Sequence, residues 1–123
     1  MSHVIDLSNS SVQVTNRRLS DEPGRVTKGD PHQNIALHYR HPDGRAAAGT
    51  WISSPGRWHA FTGQVEFCHI LRGRCALIHE NGTRTEFGPG DSFLIPRGFR
   101  GEWEVMETCE KHFFILHDPV TGP

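Results

Sequence analysis

The chemistry of this chain turns on one glutamate. In EFCHILRGRCALIHEN, residues 66–81, a strand of period two puts Glu66, Cys68 and Ile70 on one face and Phe67, His69 and Leu71 on the other. A carboxylate among core-facing neighbours is costly unless it is paired, protonated or bound to metal. Glu66 therefore reads as a ligand or acid–base group in a pocket; the plainer alternative is a half-exposed, hydrogen-bonded carboxylate at a barrel mouth. Nine histidines supply further metal-ligand chemistry, but they are scattered and not set at ligand spacing. Cys68, Cys75 and Cys109 form no C-x-x-C pair, so buried free thiols are expected. No nucleophile elbow, phosphate-binding glycine loop or Ser/His/Asp arrangement is visible. Arg57, Arg97 and Arg100 lie near predicted turns at one end of the molecule. They are either solvated or a site for a carboxylate or phosphate.

The elements that must position Glu66 are short strands separated by Gly/Pro turns. The pattern predicts strands over Asn34–Arg40, Gly49–Ser53, Arg57–Phe61, Val65–Leu71, Cys75–Glu80, Thr83–Phe87, Ser92–Ile95, Glu102–Met106 and Lys111–Leu116. Gly73 and Gly90 read as chain reversals, and Asn81-Gly82 as a type I′ hairpin turn. Residues 1–33 read as an extended arm with one short strand, Ser11–Val14. Residues 34–118 read as the barrel domain and 119–123 as a tail. Glu102, Glu104, Glu107 and Glu110 read as a solvated strand face and turn. No capped helix is visible, and many short punctuated strands mean a sandwich or barrel.

A chain of 123 residues makes one domain with one core. A formal net charge of −1 without a basic stripe argues against nucleic acid and anionic membrane partners. No apolar run reaches the roughly 20 residues that span a bilayer. The first residues have no basic region followed by an apolar one, so a cytoplasmic address is expected. Phe67, His69 and Leu71 would leave an apolar stripe exposed. A covering arm or a second copy would resolve it, and a homodimer is expected.

Two spacings carry a resemblance. Glu66 and Gly73 give Glu-x6-Gly; Gly90, Pro96 and Gly98 give Gly-x5-Pro-x-Gly. With Gly49-x-Trp51, Pro55-Gly56, FGPGDSFLIPRGFRGEWEV and Lys111, they resemble the cupin superfamily. Within it they are most similar to small single-domain cupins of the ureidoglycine-aminohydrolase-like and ethanolamine-utilisation-like group. The resemblance implies an all-β, RmlC-like jelly-roll β-barrel around a small pocket. Relatives of this kind often hold Mn, Fe, Ni or Zn with His, His, Glu and His. The corresponding positions here are His59, Phe61, Glu66 and Gly101, so His59 and Glu66 would be half of a divalent-metal site, which His38, His69 or His112 from other strands could complete.

Two functional readings follow. In the first, the chain is an enzyme acting on a small nitrogen-containing or carboxylated metabolite. Glu66 is its central polar and catalytic group, His59 an accessory, and Phe61, Trp103 and Arg100 ligand-binding residues. If Trp103 lies beside Glu66, desolvation would raise the carboxyl pKa and make it a proton shuttle. In the second, the chain is a non-catalytic small-ligand-binding or accessory module that has lost the metal.

Overall fold

Cys68 and Ile70 are fully buried, while Phe67 and Leu71 stand exposed on the opposite side of their strand, as a period of two demands. The computed structural model describes residues 3–9 and 12–117. Its strands are β1 (Val14–Arg18), β2 (Val26–Gly29), β3 (His32–Arg40), β4 (Ala46–Ser53), β5 (Gly56–Phe61), β6 (Gln64–His79), β7 (Arg84–Phe87), β8 (Ser92–Ile95) and β9 (Arg100–His117), with one 3-10 turn at Leu19–Asp21. Among the described residues no helix is long and apolar enough to cross a membrane.

All pairings are antiparallel. The sheet runs β1-β3-β4-β9-β5-β2, and β6 adds to it through β9 while also holding β7 and β8. The spine is the β6–β9 pair, in register from Gln64↔His117 to His79↔Gly101. Midway the register shifts, between Ile70 and Cys75 on β6, and the partners change. Before the shift β6 pairs with β8 and, across the spine, β9 with β4. After it β6 pairs with β7 and β9 with β5. The spine thus passes from one half of a curled sheet to the other, the jelly-roll arrangement.

This corrects two expectations. Residues 65–79 are one strand, not two joined by a reversal at Gly73, and residues 102–116 likewise belong to one strand. Gly73 sits at φ +84°, and a Cβ there would lie 2.1 Å from the Thr108 carbonyl oxygen. It makes a bulge that bends the strand without turning it back. The Asn81-Gly82 turn also differs from type I′. Only Gly82 has positive φ, Gly82 N–H donates to the His79 carbonyl, and His79 N–H donates to that of Thr83. These bonds define a three-residue loop with a glycine bulge.

Residues 14–29 of the expected arm form two paired strands. β1 lies along β3 from Val14↔Ala36 to Arg18↔His32, and β2 along β5. Val14 opens β1; Ser11 and residues 118–123 lie outside the described residues. Leu19, between these strands, is only 1% exposed and plugs one end of the core. Residues 3–9 run over the outer side of β3 and β4, where Thr50 Oγ1 donates to the Leu7 carbonyl and His38 Nε2 meets the Asn9 carbonyl. Among the described residues nothing covers the neighbouring outer face. Leu94, Phe67 and Phe114 form a row across β8, β6 and β9, each exposed.

The acidic stretch on β9 is not simply solvated. Glu102 takes a two-point hydrogen bond from Arg57 at 3.0 and 2.8 Å. Glu104 is 8% exposed and pairs with Arg84 at 2.6 Å. Glu110 pairs with Arg72 at 2.9 Å. Period two leaves these acids on the outer face of β9, while Trp103, Val105 and Phe113 fill the interior.

Candidate functional site

Two cross-strand rows face each other inside the curl. One is Trp51 on β4, Lys111 on β9 and Ile70 on β6. The other is Trp58 on β5, Trp103 on β9 and Leu77 on β6. Their rings interlock: Trp51 lies 5.6 Å from Trp103 and 6.2 Å from Trp58, and Trp58 stacks on Trp103 at 6.3 Å with planes 9° apart. Each such ring removes ~200 Å² from water, worth about 5 kcal/mol before conformational costs.

Around these rows opens a cavity of about 480 Å³. At its floor Lys111 Nζ donates to Glu66 Oε2 at 2.7 Å and approaches Cys68 Sγ at 3.5 Å; Cys68 Sγ also donates to Glu66 Oε2, at 3.1 Å. The ammonium lies 4.5 Å from the Trp51 ring centroid and 4.2 Å from that of Trp103. Its side chain is 5% exposed and that of Glu66 is 14% exposed. A buried ammonium would ordinarily shed its proton. Here a carboxylate, a thiol and two aromatic faces surround it, and cation–π contacts of this desolvated kind are worth about 2 kcal/mol.

The electrostatics follow from the pairing. Burial pushes the Glu66 carboxyl up, but the charge and hydrogen bond of Lys111, helped by Cys68, outweigh it and hold the group below its ordinary range. Burial pushes Lys111 down, and Glu66 more than reverses that. Both groups stay ionised. The expectation that Trp103 would raise Glu66 into a proton shuttle is therefore corrected. Trp103 does line the cavity, but Lys111 decides the sign.

Cys68 is pushed up to about 12, chiefly by burial. Cys75 is also pushed up, by its hydrogen bond with Cys109 and by burial. All three thiols are free and 0% exposed. Native protein should therefore react negligibly with an aromatic disulfide reagent, and urea-unfolded protein should release three equivalents. Fast labelling of the native chain would show that the core opens.

The other residues singled out from sequence are not gathered here. His59 alternates with Trp58 and Ala60, and because those two face the core it points outward, exposed, into a groove with Arg57, Arg100 and Glu102. Pairing His59 with Glu66 in one metal site is corrected on that ground, and Arg100 lies outside the barrel cavity for the same reason. Phe61 belongs to β5, and its side chain lies outside the described residues. His69 and His112 stand opposite each other on the outer face, His69 Nδ1 being 2.7 Å from Ser92 Oγ.

The donor set does not fit a transition metal. Three or four ligands are usual, and among the described residues no three His, Cys, Asp or Glu side chains are grouped to hold an ion. Glu66 already has an ammonium as its cation. At Gly101 even a Cβ would lie 1.9 Å from the Ile78 carbonyl oxygen, so that position has no room for a histidine.

Sequence reasoning missed Lys111 as a site residue. The signal was present: Lys111 alternates with Phe113 and Ile115, so a lone cation lies on an apolar face just as Glu66 places a lone anion on another.

A jelly-roll barrel whose interior cavity ends on a polar floor is the architecture of a cupin. The family model for the EutQ-like cupin domain matches residues 40–113, more than half of the chain, and the chain belongs to that family. No curated protein sequence matches it. Among solved structures, a protein of unknown function from the DUF861 family of Pseudomonas syringae superposes with a TM-score of 0.75 at 17% identity, over 87% of this chain and 46% of that one. The chain thus spans under half of that protein's length. EutQ of Clostridium difficile superposes with a TM-score of 0.66 at 15% identity, over 86% and 81% of the two chains. A DUF861-family protein of Thermotoga maritima gives 0.51 at 22% identity, over 64% and 96%. At these identities the likeness is one of fold.

Proposed function

We propose that this cupin binds a small molecule in its barrel cavity, with the Glu66–Lys111 pair as a fixed polar floor and the tryptophans as walls. The observation that carries this is the ion pair itself, two buried charges set at the base of a cavity of about 480 Å³. Concave, mostly apolar sites with a few convergent polar groups are where small ligands bind. An ion pair costs several kcal/mol to bury and rarely repays that in stability alone, so its position at the cavity base favours a binding role.

An aminohydrolase role like that of the ureidoglycine-aminohydrolase-like cupins would call for a metal that the residues around Glu66 do not suit. Binding needs none. Glu66 serves as a permanent anion that anchors Lys111, which polarises whatever rests on it.

A fragment library screened by ligand-observed NMR should give hits that quench tryptophan emission. They should be lost in Ala47→Trp, because Ala47 lines the cavity and an indole there would fill it. Hits that bind this variant as well as the parent would place binding elsewhere and sink the proposal.

A further inference from the structure

The cavity has two kinds of wall. Tryptophans and the ion pair come from β4, β5, β6 and β9, within residues 40–113 that match the family. The facing wall comes from the start of the chain: Arg17, Arg25 and Gln33 all line the cavity and all precede that match, with Arg40 at its first residue.

Charge on this wall is one-sided. Among the described residues Glu66 is the single acid lining the cavity, and Lys111 neutralises it. Arg17 and Arg25 share one carboxylate, Glu22, with Arg17 Nη2 at 2.6 Å from it. Arg40 has no ion-pair partner among the described residues and is exposed. Among the described residues, two guanidiniums against one carboxylate leave this end of the wall positive, and Arg40 adds a third charge at its other end.

An independent observation comes from Gln33. It is 3% exposed, lines the cavity, and its side-chain amide has no hydrogen-bond partner among the described residues. No fully shielded side-chain nitrogen or oxygen there lacks a partner, so the amide keeps an open side, and alternation with Ile35 and Leu37, which line the cavity, turns it inward. A buried amide left unpaired costs about 1–3 kcal/mol, and one aimed into a cavity is a donor set out for a ligand.

Resting on the binding reading above, we infer that the ligand is a small organic anion. Its charged head meets the Arg17/Arg25 pair and the Gln33 amide, which stand together at one end of β3, and its apolar body lies against Trp58 and Phe113. A guanidinium fork matches the oxygens of a carboxylate or a phosphate. The segment before residue 40 thus sets which ligand the family's barrel accepts.

The test is a titration of the full chain at low salt with benzoate, phenyl phosphate, benzamide and benzylammonium, followed by tryptophan emission and calorimetry. At least one anion should bind about tenfold or more tighter than benzamide, the size of effect one charge-assisted hydrogen bond supplies. Whichever anion is tighter names the head group. Arg17→Gln, at an exposed position on the edge strand β1, should reduce anion binding about tenfold and leave benzamide unchanged. Gln33→Leu should weaken the same anion. Equal binding of benzamide would overturn the anion inference and leave small-molecule binding standing. Preference for benzylammonium would reverse its sign. No response to any of the four, with fragments still binding as above, would overturn the inference alone; loss of fragment binding too would remove both.

Discussion

Lys111→Met should cost the fold about 3–5 kcal/mol, because it leaves the Glu66 carboxylate buried without its cation. That is a large share of the ~5–15 kcal/mol that holds a domain together. Glu66→Leu combined with Lys111→Met should recover most of the loss, since an apolar pair of similar size needs no desolvation of charge. Urea unfolding of the four forms gives the coupling directly, and about 2 kcal/mol or more is expected. The pH dependence adds a second handle. In the parent, Glu66 lies below its ordinary 4.5, so its contribution is present above 4.5 and lost as pH falls through the folded value. Lys111 lies above its ordinary 10.5, so its contribution is complete below 10.5 and lost as pH rises through the folded value. The pair is therefore at full strength between these limits. Without Lys111, burial pushes Glu66 upward, the folded state binds the extra proton, and the variant should be more stable at pH 5 than at pH 8. A cost under ~1 kcal/mol, as for exposed pairs, with no such pH trend, would mean that water reaches the pair freely.

Gly101→Ala should cost about 3 kcal/mol or more. A Cβ at that position meets the Ile78 carbonyl oxygen at 1.9 Å and its carbon at 2.9 Å, both backbone atoms of the partner strand that cannot rotate away. Gly101→His should be at least as damaging and should take up no Mn, Fe, Zn or Ni, even with Phe61→His beside it. Thermal unfolding and elemental analysis of these variants settle the point. A Gly101→His protein that melts like the parent and retains one metal per chain would overturn the argument that this barrel does not suit a transition metal.

Much of this was legible in the residues. Alternation placed Glu66, Cys68 and Ile70 inward, and the two glycine-containing spacings pointed to the cupin barrel. What escaped had a common cause. Gly73 looks like a turn because bulges and reversals both call for positive φ; only the pairing of β6 with β9 on both sides of it shows that the strand continues. His59 falls where a metal ligand would by counting, but its neighbours Trp58 and Ala60 claim the inward face. Glu66 was read alone, so burial was expected to raise its pKa. Its partner stands 45 residues away on another strand, and no local pattern joins the two. The wall formed by Arg17, Arg25 and Gln33 was hidden for a similar reason: a polar, turn-rich opening segment does not announce that it pairs with both edges of a sheet.

The long spine also has a kinetic consequence. Its pairs lie 22 residues apart at His79↔Gly101 and 53 apart at Gln64↔His117. Loop closure grows only logarithmically, so going from the first to the last adds about 0.8 kcal/mol. Zipping from the β7–β8 end outward thus meets a shallow entropic slope, within the millisecond-to-second regime of non-local β topologies. Zipping in that direction would bring Glu66 and Lys111 together late, after the apolar pairs nearer His79↔Gly101. The charges would then be desolvated only when part of the surroundings that compensate them already exists.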